Sequence, residues 1–358
     1  MRDPILAFFL ICLLALPGSA DPLTLFEKQA IPPPPVQSVH SASLGALPSG
    51  HLLVAYFGGS EEGLPDVRIY ANLYNPKSKI WSPAFTLLSP TQLSQLSKSY
   101  VKALGNPVLA IFNQKVYLFV VGVSLGGWAT SRIYALQADI SSLLAQKPHL
   151  NFLSTLSLSP LLNISYLVRN SPLPTEDGGF ILPIYHELVA KFPLLLKFDS
   201  KAHLQRVIKP NYLSSQLQPT LTPYKQCALM AFRSSKDTHL YTQTCKDLLH
   251  WNPPIPSNLR NYDDALALFN ANHETYLVYN APLPNASSSR SSLRLARFAP
   301  TSKRSSYFDP LAILDQSLEG EVSYPSVLVL KDTIHLVYTK HRHTIMHLIL
   351  NKALLKAL

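Results

Sequence analysis

The stretch EVSYPSVLVLKDTIHLVYTKHRH, residues 321–343, places a carboxylate and a phenol at one end of a short segment and a cluster of bases at the other. Glu321 and Tyr324 stand at its start, and Lys340, His341, Arg342 and His343 at its finish. Two alternating apolar runs flank Lys331-Asp332, so the segment reads as a hairpin that folds its two ends together. The result is either one wall of an anion-holding site or an edge hairpin with a solvated rim. Other charged residues sit where an apolar strand runs out. Arg169, between ISYL and NSP, reads as a strand-end arginine directed inward, and Arg233 ends CALMAFR, either in a site or on the surface. His186-Glu187 closes ILPIYHE, where a charged pair has little purpose outside a site, a buried structural hydrogen bond being the alternative. His341 and His343 alternate with no third ligand nearby, so no metal site is expected.

The elements that must position these residues are short. HLLVAYFGG, DVRIYANLYN, VYLFVVGVS, GFILPIYHE, ALALFN, TYLVYN, SYPSVLVL and TIHLVYTK are strand-length runs bounded by turn residues. They recur roughly every ten residues, the signature of an all-β sandwich, barrel or propeller. Paired runs recur about every fifty to sixty residues, a blade-like period that favours a six-bladed β-propeller over a sandwich. Residues 139–156 form the best helical or irregular insert, and LNKALLKAL at the end reads as one closing helical turn. NASSSRSS, 285–292, reads as an exposed flexible loop.

The chain has 358 residues, 47% apolar, with a formal charge of +10. That balance suits acidic partners. No lysine-arginine run exceeds two residues and no nucleic-acid motif is present, so nucleic acid is not expected. MRDPILAFFLICLLALPGSA has an apolar run from Ile5 to Leu16 followed by Gly18-Ser19-Ala20. It reads as a signal peptide over 1–20, an uncleaved anchor being the alternative. IPPPPV then belongs to a proline-rich tether over 21–36, and 37–358 form a single domain. The mature protein is expected to be secreted or periplasmic, with no membrane span. Of the three cysteines, Cys227 and Cys245 stay in the mature chain, on two runs joined by SSKDT, and are either a disulfide or two buried thiols. Asn163 and Asn285 head N-x-S sequons.

Several stretches carry a resemblance: HSASLGALPSGHLLVAYFGGSEEGLPDVRIY (40–70), GNPVL (105–109), YLVRNSPLPTEDGGFILPIYHE (166–187), LQPTL (217–221), NYDDALALF (261–269) and the 321–342 hairpin. In this order they are similar to the sialidase (neuraminidase) superfamily, in particular its bacterial BNR-repeat, exo-α-sialidase-like branch. The resemblance implies a six-bladed propeller that hydrolyses a terminal sialic acid or related acidic sugar without a cofactor. The sugar's own carboxylate repels an anionic nucleophile, so a tyrosine replaces the usual carboxylate. On that pattern Tyr324 is the nucleophile, Glu321 or Glu187 its base, and Asp66, beside Glu61 and Glu62, the acid. Arg169 and Arg233 clamp the substrate carboxylate with Lys340 or Arg342, and His186 lies at the site. His40 stands where the family has the arginine of an RIP motif, and a histidine holds a carboxylate only when protonated or as a neutral donor. The family's Asp-box turns are reduced to Trp251 with a displaced Asp247, and to Trp81. The alternative function is a non-catalytic propeller that binds acidic glycans or a protein partner. A propeller lyase, with a histidine or tyrosine base, is a third.

Overall fold

Period-two alternation decides the fold, because each strand shows one set of side chains to each neighbouring sheet. Along Cys227–Ser234, Ala228, Met230 and Phe232 pack toward the preceding sheet. Leu229 and Ala231 pack toward the following one. In the computed structural model, which describes residues 26–159, 163–236, 239–299 and 306–357, this arrangement repeats around a ring. Among the described residues six antiparallel sheets form a six-bladed β-propeller. Six apolar clusters fill the seams between them. Each fully buried leucine there contributes about 1.5–3 kcal/mol.

The innermost strands are Ser38–Ala46, Ala103–Phe112, the broken pair Tyr166–Val168 and Leu173–Pro174, Gln216–Tyr224, Ala267–Ala271 and Val322–Val329. Neighbouring inner strands are joined by a repeated device. Ser43 Oγ accepts from Leu109 N at 3.0 Å, Thr220 Oγ1 from Leu268 N at 3.0 Å, and Ser326 Oγ from Leu44 N at 3.3 Å. The last of these closes the ring between the sixth and first blades.

The N-terminal segment is more than a tether. Phe26–Ala30 is the outermost strand of the sixth blade, paired with Thr344–Asn351. Ile31 N continues the ladder to Ile345 O at 2.9 Å. The first and last strands of the described residues therefore lie in one sheet. The expected signal peptide, 1–20, lies outside the described residues. Among the described residues no helix is long and apolar enough to cross a membrane.

Residues 139–156 divide into two elements. Asp139 caps the short helix Ile140–Leu144, and Leu150–Thr155 is the outer strand of the second blade. Ser89 and Gln92 form a capping box that starts a further helix, Pro90–Ser97, which was not expected from the hydrophobic pattern. Cys227 and Cys245 are a disulfide, with Cα atoms 5.7 Å apart. Lys352–Ala357 forms the expected closing turn.

Candidate active site

Four inner strands carry a bulge at the same height, each marked by a residue with positive φ: Ser41 (58°), Asn106 (36°), Gln218 (45°) and Tyr324 (58°). Three of these precede proline, a position that ordinarily keeps its residue extended. Such conformations cost on the order of 1–3 kcal/mol each and persist only where surrounding structure enforces them. The inter-blade hydroxyls of Ser43, Thr220 and Ser326 lie two residues further on and pin three of the four bulges. Asn106, Gln218 and Tyr324, each at one of these bulges, line one cavity of about 280 Å³.

Tyr324 is the best-supported side chain in that cavity. Its hydroxyl accepts a hydrogen bond from Arg233 Nη1 at 3.1 Å. Below its ring lies Arg169, fully buried, with the guanidinium carbon 5.0 Å from the ring centroid and Nη2 donating to Pro325 O at 3.0 Å. Burial pulls the Arg169 pKa down to about 10. On another side the His40 ring packs at 4.1 Å between centroids, and Arg290 lies 5.6 Å from the phenol ring.

The guanidiniums that reach the cavity are Arg233, Arg290 and Arg342. They come from the fourth, fifth and sixth blades, and carboxylates space them. Asp263 Oδ1 holds Arg233 Nε at 2.8 Å, while Asp264 Oδ1 holds Arg290 Nε at 2.7 Å. Glu321 bridges Arg290 Nη1 and Arg342 Nε, both at 3.2 Å, and Glu62 Oε2 meets Arg342 Nη1 at 3.0 Å. Positive φ at Asp263 (61°) lets two adjacent carboxylates serve arginines of different blades. Burial disfavours the charge of all three arginines, yet their pKa values are raised: by Tyr324 and Asp263 for Arg233, by Tyr324 and Asp264 for Arg290, and by Glu321 and Glu62 for Arg342. Asp264 is fully buried, and desolvation lifts its pKa to about 6 against the pull of Arg290.

The expected site residues separate into three groups. Tyr324, Arg233, Arg342 and Glu187 line the cavity. Arg169, His40 and Glu321 stand behind the lining. Arg169 therefore supports the phenol ring and does not face the cavity as a clamp. His40 is 1% exposed with neither ring nitrogen hydrogen-bonded, and Glu321 Oε1 lies 3.8 Å from its Nδ1. Burial first, then Arg342, Arg290, Arg169 and Arg233, holds its pKa well below the usual histidine value. A neutral, enclosed imidazole is not a carboxylate ligand here. Glu321 spends both oxygens on arginines, one on Arg290 and one on Arg342, and is not part of the lining.

Asp66 and His186 form the third group, outside the lining. Both Asp66 oxygens fold back onto Ser60, one on its amide at 2.7 Å and one on its hydroxyl at 2.9 Å, so this carboxylate stitches its own loop. Glu62, from the same loop, reaches the cavity instead. His186 stacks on Phe192 at 4.9 Å, and its Nδ1 meets Ala190 O at 3.0 Å. That is a loop-holding role. Lys340, expected as a possible third cation, pairs with Asp315 at 3.0 Å away from the lining.

The rest of the lining is Asn106, Trp128, Leu167, Tyr185, Gln218 and Arg290. Arg290 was hidden inside the serine-rich run 285–292, which its three bonds to Asp264, Glu321 and Asp263 O hold in place. Trp128 lies against Gly105, where an added Cβ would come within 2.6 Å of the indole, so only glycine lets the ring settle beside the bulge. Tyr185 OH receives Gln218 Nε2 at 3.3 Å and Asn106 Nδ2 at 3.5 Å. Among the described residues no cluster of metal-ligating side chains is present. The arrangement suits a small anion with a ring: guanidiniums for the charge, an indole for a face, and a phenol and two carboxylates for proton and bond chemistry.

Residues 50–336 match the family model described as a BNR repeat-like domain. No curated protein matches the sequence. Among solved structures, a sialidase described as Hadza microbial superposes with a TM-score of 0.68 at 12% identity, over 90% of this chain and 67% of that one. Trypanosoma rangeli sialidase gives 0.63 at 10% identity, over 88% of this chain and 55% of that one, so this chain spans little more than half its length. A protein of unknown function from Dyadobacter fermentans gives 0.67 at 10% identity, over 92% and 100%. At such identities these likenesses establish the shared propeller.

Proposed function

Because the chain belongs to the BNR repeat-like family and carries this cavity on the sialidase propeller, we propose that it is an exo-acting glycosidase that removes sialic acid or a related acidic sugar from the end of a glycan. The observation that carries the reading is the phenol of Tyr324, strained into the cavity and bonded to Arg233 at 3.1 Å, within a set of three guanidiniums.

Arg233, Arg290 and Arg342 bind the sugar carboxylate, and Trp128 flanks the ring. A carboxylate nucleophile would face that substrate charge across a few ångströms, whereas a neutral phenol does not. Glu187 takes the Tyr324 proton as the phenol oxygen attacks the anomeric carbon. Arg233 stabilises the negative charge that develops on the oxygen. The glycosidic bond breaks as Glu62, in place of Asp66, gives a proton to the departing oxygen. Water, deprotonated by the Glu62 carboxylate, then attacks the anomeric carbon; the bond to the Tyr324 oxygen breaks and Glu187 returns its proton to the phenolate, with net retention.

We further assign residues 1–20 as a cleaved leader and 37–358 as the catalytic domain, acting outside the cytoplasm. The Cys227–Cys245 disulfide supports an oxidising compartment. The test is hydrolysis of a fluorogenic α-sialoside, and of glycosides of other acidic sugars, by the wild type and by Tyr324→Phe between pH 4 and 8. Turnover that falls by about 10²–10⁴-fold in the variant, without loss of folding, supports the proposal. Absence of turnover in the wild type across the acidic panel points instead to a propeller that only binds acidic glycans.

A further inference from the structure

The geometry points to Glu62 as a built-in competitor for the substrate: its carboxylate holds Nη1 of Arg342, half of the terminal fork that binds a carboxylate bidentately, and the incoming acidic sugar displaces it. This inference rests on the reading of the cavity as an anion site and adds a device that sets its selectivity.

Arg342 is the fixed partner. It sits on a tight turn with its neighbour, both at positive φ (His341 54°, Arg342 58°). His341 N bonds to Glu321 O at 2.8 Å, Val39 N to Arg342 O at 2.7 Å, and His343 Nδ1 meets Gln37 O at 2.7 Å. Glu321 also holds the Arg342 Nε edge at 3.2 Å. The terminal nitrogens Nη1 and Nη2 remain for a ligand, and Glu62 Oε2 takes the first of them.

Glu62 is the movable partner. Its loop joins Leu52–Gly59 to Arg68–Asn75 and is closed on itself at the base by Asp66 and Ser60, with Val67 N bonding to Leu64 O at 3.1 Å. The tip turns at Gly63 (φ 87°), a conformation in which glycine is the low-strain residue. The Glu62–Arg342 pair is partly open to water, the two side chains being 31% and 41% exposed. Ion pairs of that kind are weak, about 0.2–1 kcal/mol. A ligand carboxylate that also reaches Arg233 and Arg290 outcompetes it, whereas an uncharged sugar has nothing to exchange for it. Displacement frees the Glu62 carboxyl from its counter-ion at the moment the sugar arrives.

The experiment is calorimetric titration with N-acetylneuraminic acid and D-glucuronic acid as anionic probes and N-acetylglucosamine as the uncharged control. Glu62→Gln is expected to bind at least one acid about fivefold more tightly than the wild type, the factor equivalent to losing ~1 kcal/mol of competition. Glu61→Gln, which removes the same charge from an exposed neighbour on the loop, is expected to leave affinity unchanged. In an Arg342→Ala background the gain from Glu62→Gln is expected to vanish. Equal, weaker or absent acid binding in Glu62→Gln, a gain that persists without Arg342, or an equal gain in Glu61→Gln overturns the inference. Free sugars carry no leaving group, so these titrations read competition alone. A failure to hydrolyse sialosides bears on the catalytic proposal and not on this one.

Discussion

A phenol attacks well only if a base takes its proton and positive charge awaits its oxygen. Tyr324 has the second condition in Arg233, and Glu187 shares its cavity. The arginines in turn depend on carboxylates behind the lining, Asp264 and Glu321 among them. Asp264 is the test case, since its burial raises its pKa to about 6 while it holds Arg290 at 2.7 Å. Above that pH the carboxylate is ionised and grips Arg290; below it the proton weakens the grip. KM for an acidic glycoside should therefore rise as pH falls through about 6. Asp264→Asn should raise KM by about tenfold and remove that inflection, with kcat little changed. A pH profile of KM in both proteins checks it, and an identical inflection in the variant would rule the role out. Glu187 was legible because the end of an apolar strand has little reason to carry a charged pair, whereas Tyr324, Arg233 and Arg342 were singled out by the family resemblance. Arg290 was not, because serines around an arginine look like solvated loop until partners from two other segments are known. Arg169 was expected to point into the channel as a clamp, and His40 to stand in for the family's arginine; both lie behind the lining, because whether a residue lines a cavity or supports its floor depends on neighbours distant in sequence.

At the scale of elements, the bulged inner strand is the unit that builds the site. The triplets Ser41-Ala42-Ser43, Gln218-Pro219-Thr220 and Tyr324-Pro325-Ser326 share one geometry, a left-handed residue followed two positions later by a hydroxyl that pins the next blade. The stretches GNPVL, LQPTL and SYPS stood out in the sequence, but a residue before proline is ordinarily extended, so their reversal into the cavity is a product of packing between blades. The 139–156 segment shows the same limit. Its five-residue helix and six-residue strand are each too short for periodicity to resolve. The Cys227–Cys245 disulfide, with a sequence separation of 18, sits in the fourth blade, whose second strand, Cys227–Ser234, carries Arg233. Cross-linking a loop of that size stabilises by about 3 kcal/mol in the chain-entropy account. The Cys227→Ala, Cys245→Ala double variant should unfold at lower denaturant concentration by a corresponding amount while keeping the cavity. An unchanged urea midpoint would show that the blade does not rely on the cross-link.

Across the whole molecule, the ring must close, and the sixth blade does so with the first and the last strands of the described residues. Strand-length runs at a regular spacing made the propeller readable in advance. The closure was not, since nothing local marks Phe26–Ala30 as the partner of Thr344–Asn351. A buried polar chain crosses the seam between the sixth and first blades. Trp81 Nε1 only donates, so His347 Nδ1 accepts from it at 3.2 Å; His347 Nε2 then donates to His335 Nδ1 at 2.9 Å, and His335 Nε2 to Thr333 Oγ1 at 3.0 Å. Burial lowers the pKa of His335 to about 4, and burial together with His335 lowers that of His347 to about 3. Between those values and the usual 6.5 the unfolded chain binds protons that the folded one refuses, so the stability they contribute is complete above about 6.5 and falls as pH drops. Urea midpoints from pH 7 to 4 should decline by the equivalent of a few kcal/mol, less steeply in a His335→Gln, His347→Gln variant. Equal slopes would remove the seam from the acid response. The proposed chemistry turns on a phenol that bonds to sugar, and the most direct measurement is peptide mapping by mass spectrometry after incubation with a 2,3-difluorosialic acid. A fluorosugar on Tyr324, absent from Tyr324→Phe, is the predicted result. Label carried by Glu187 or Glu62, or sialoside turnover undiminished in Tyr324→Phe, would contradict it.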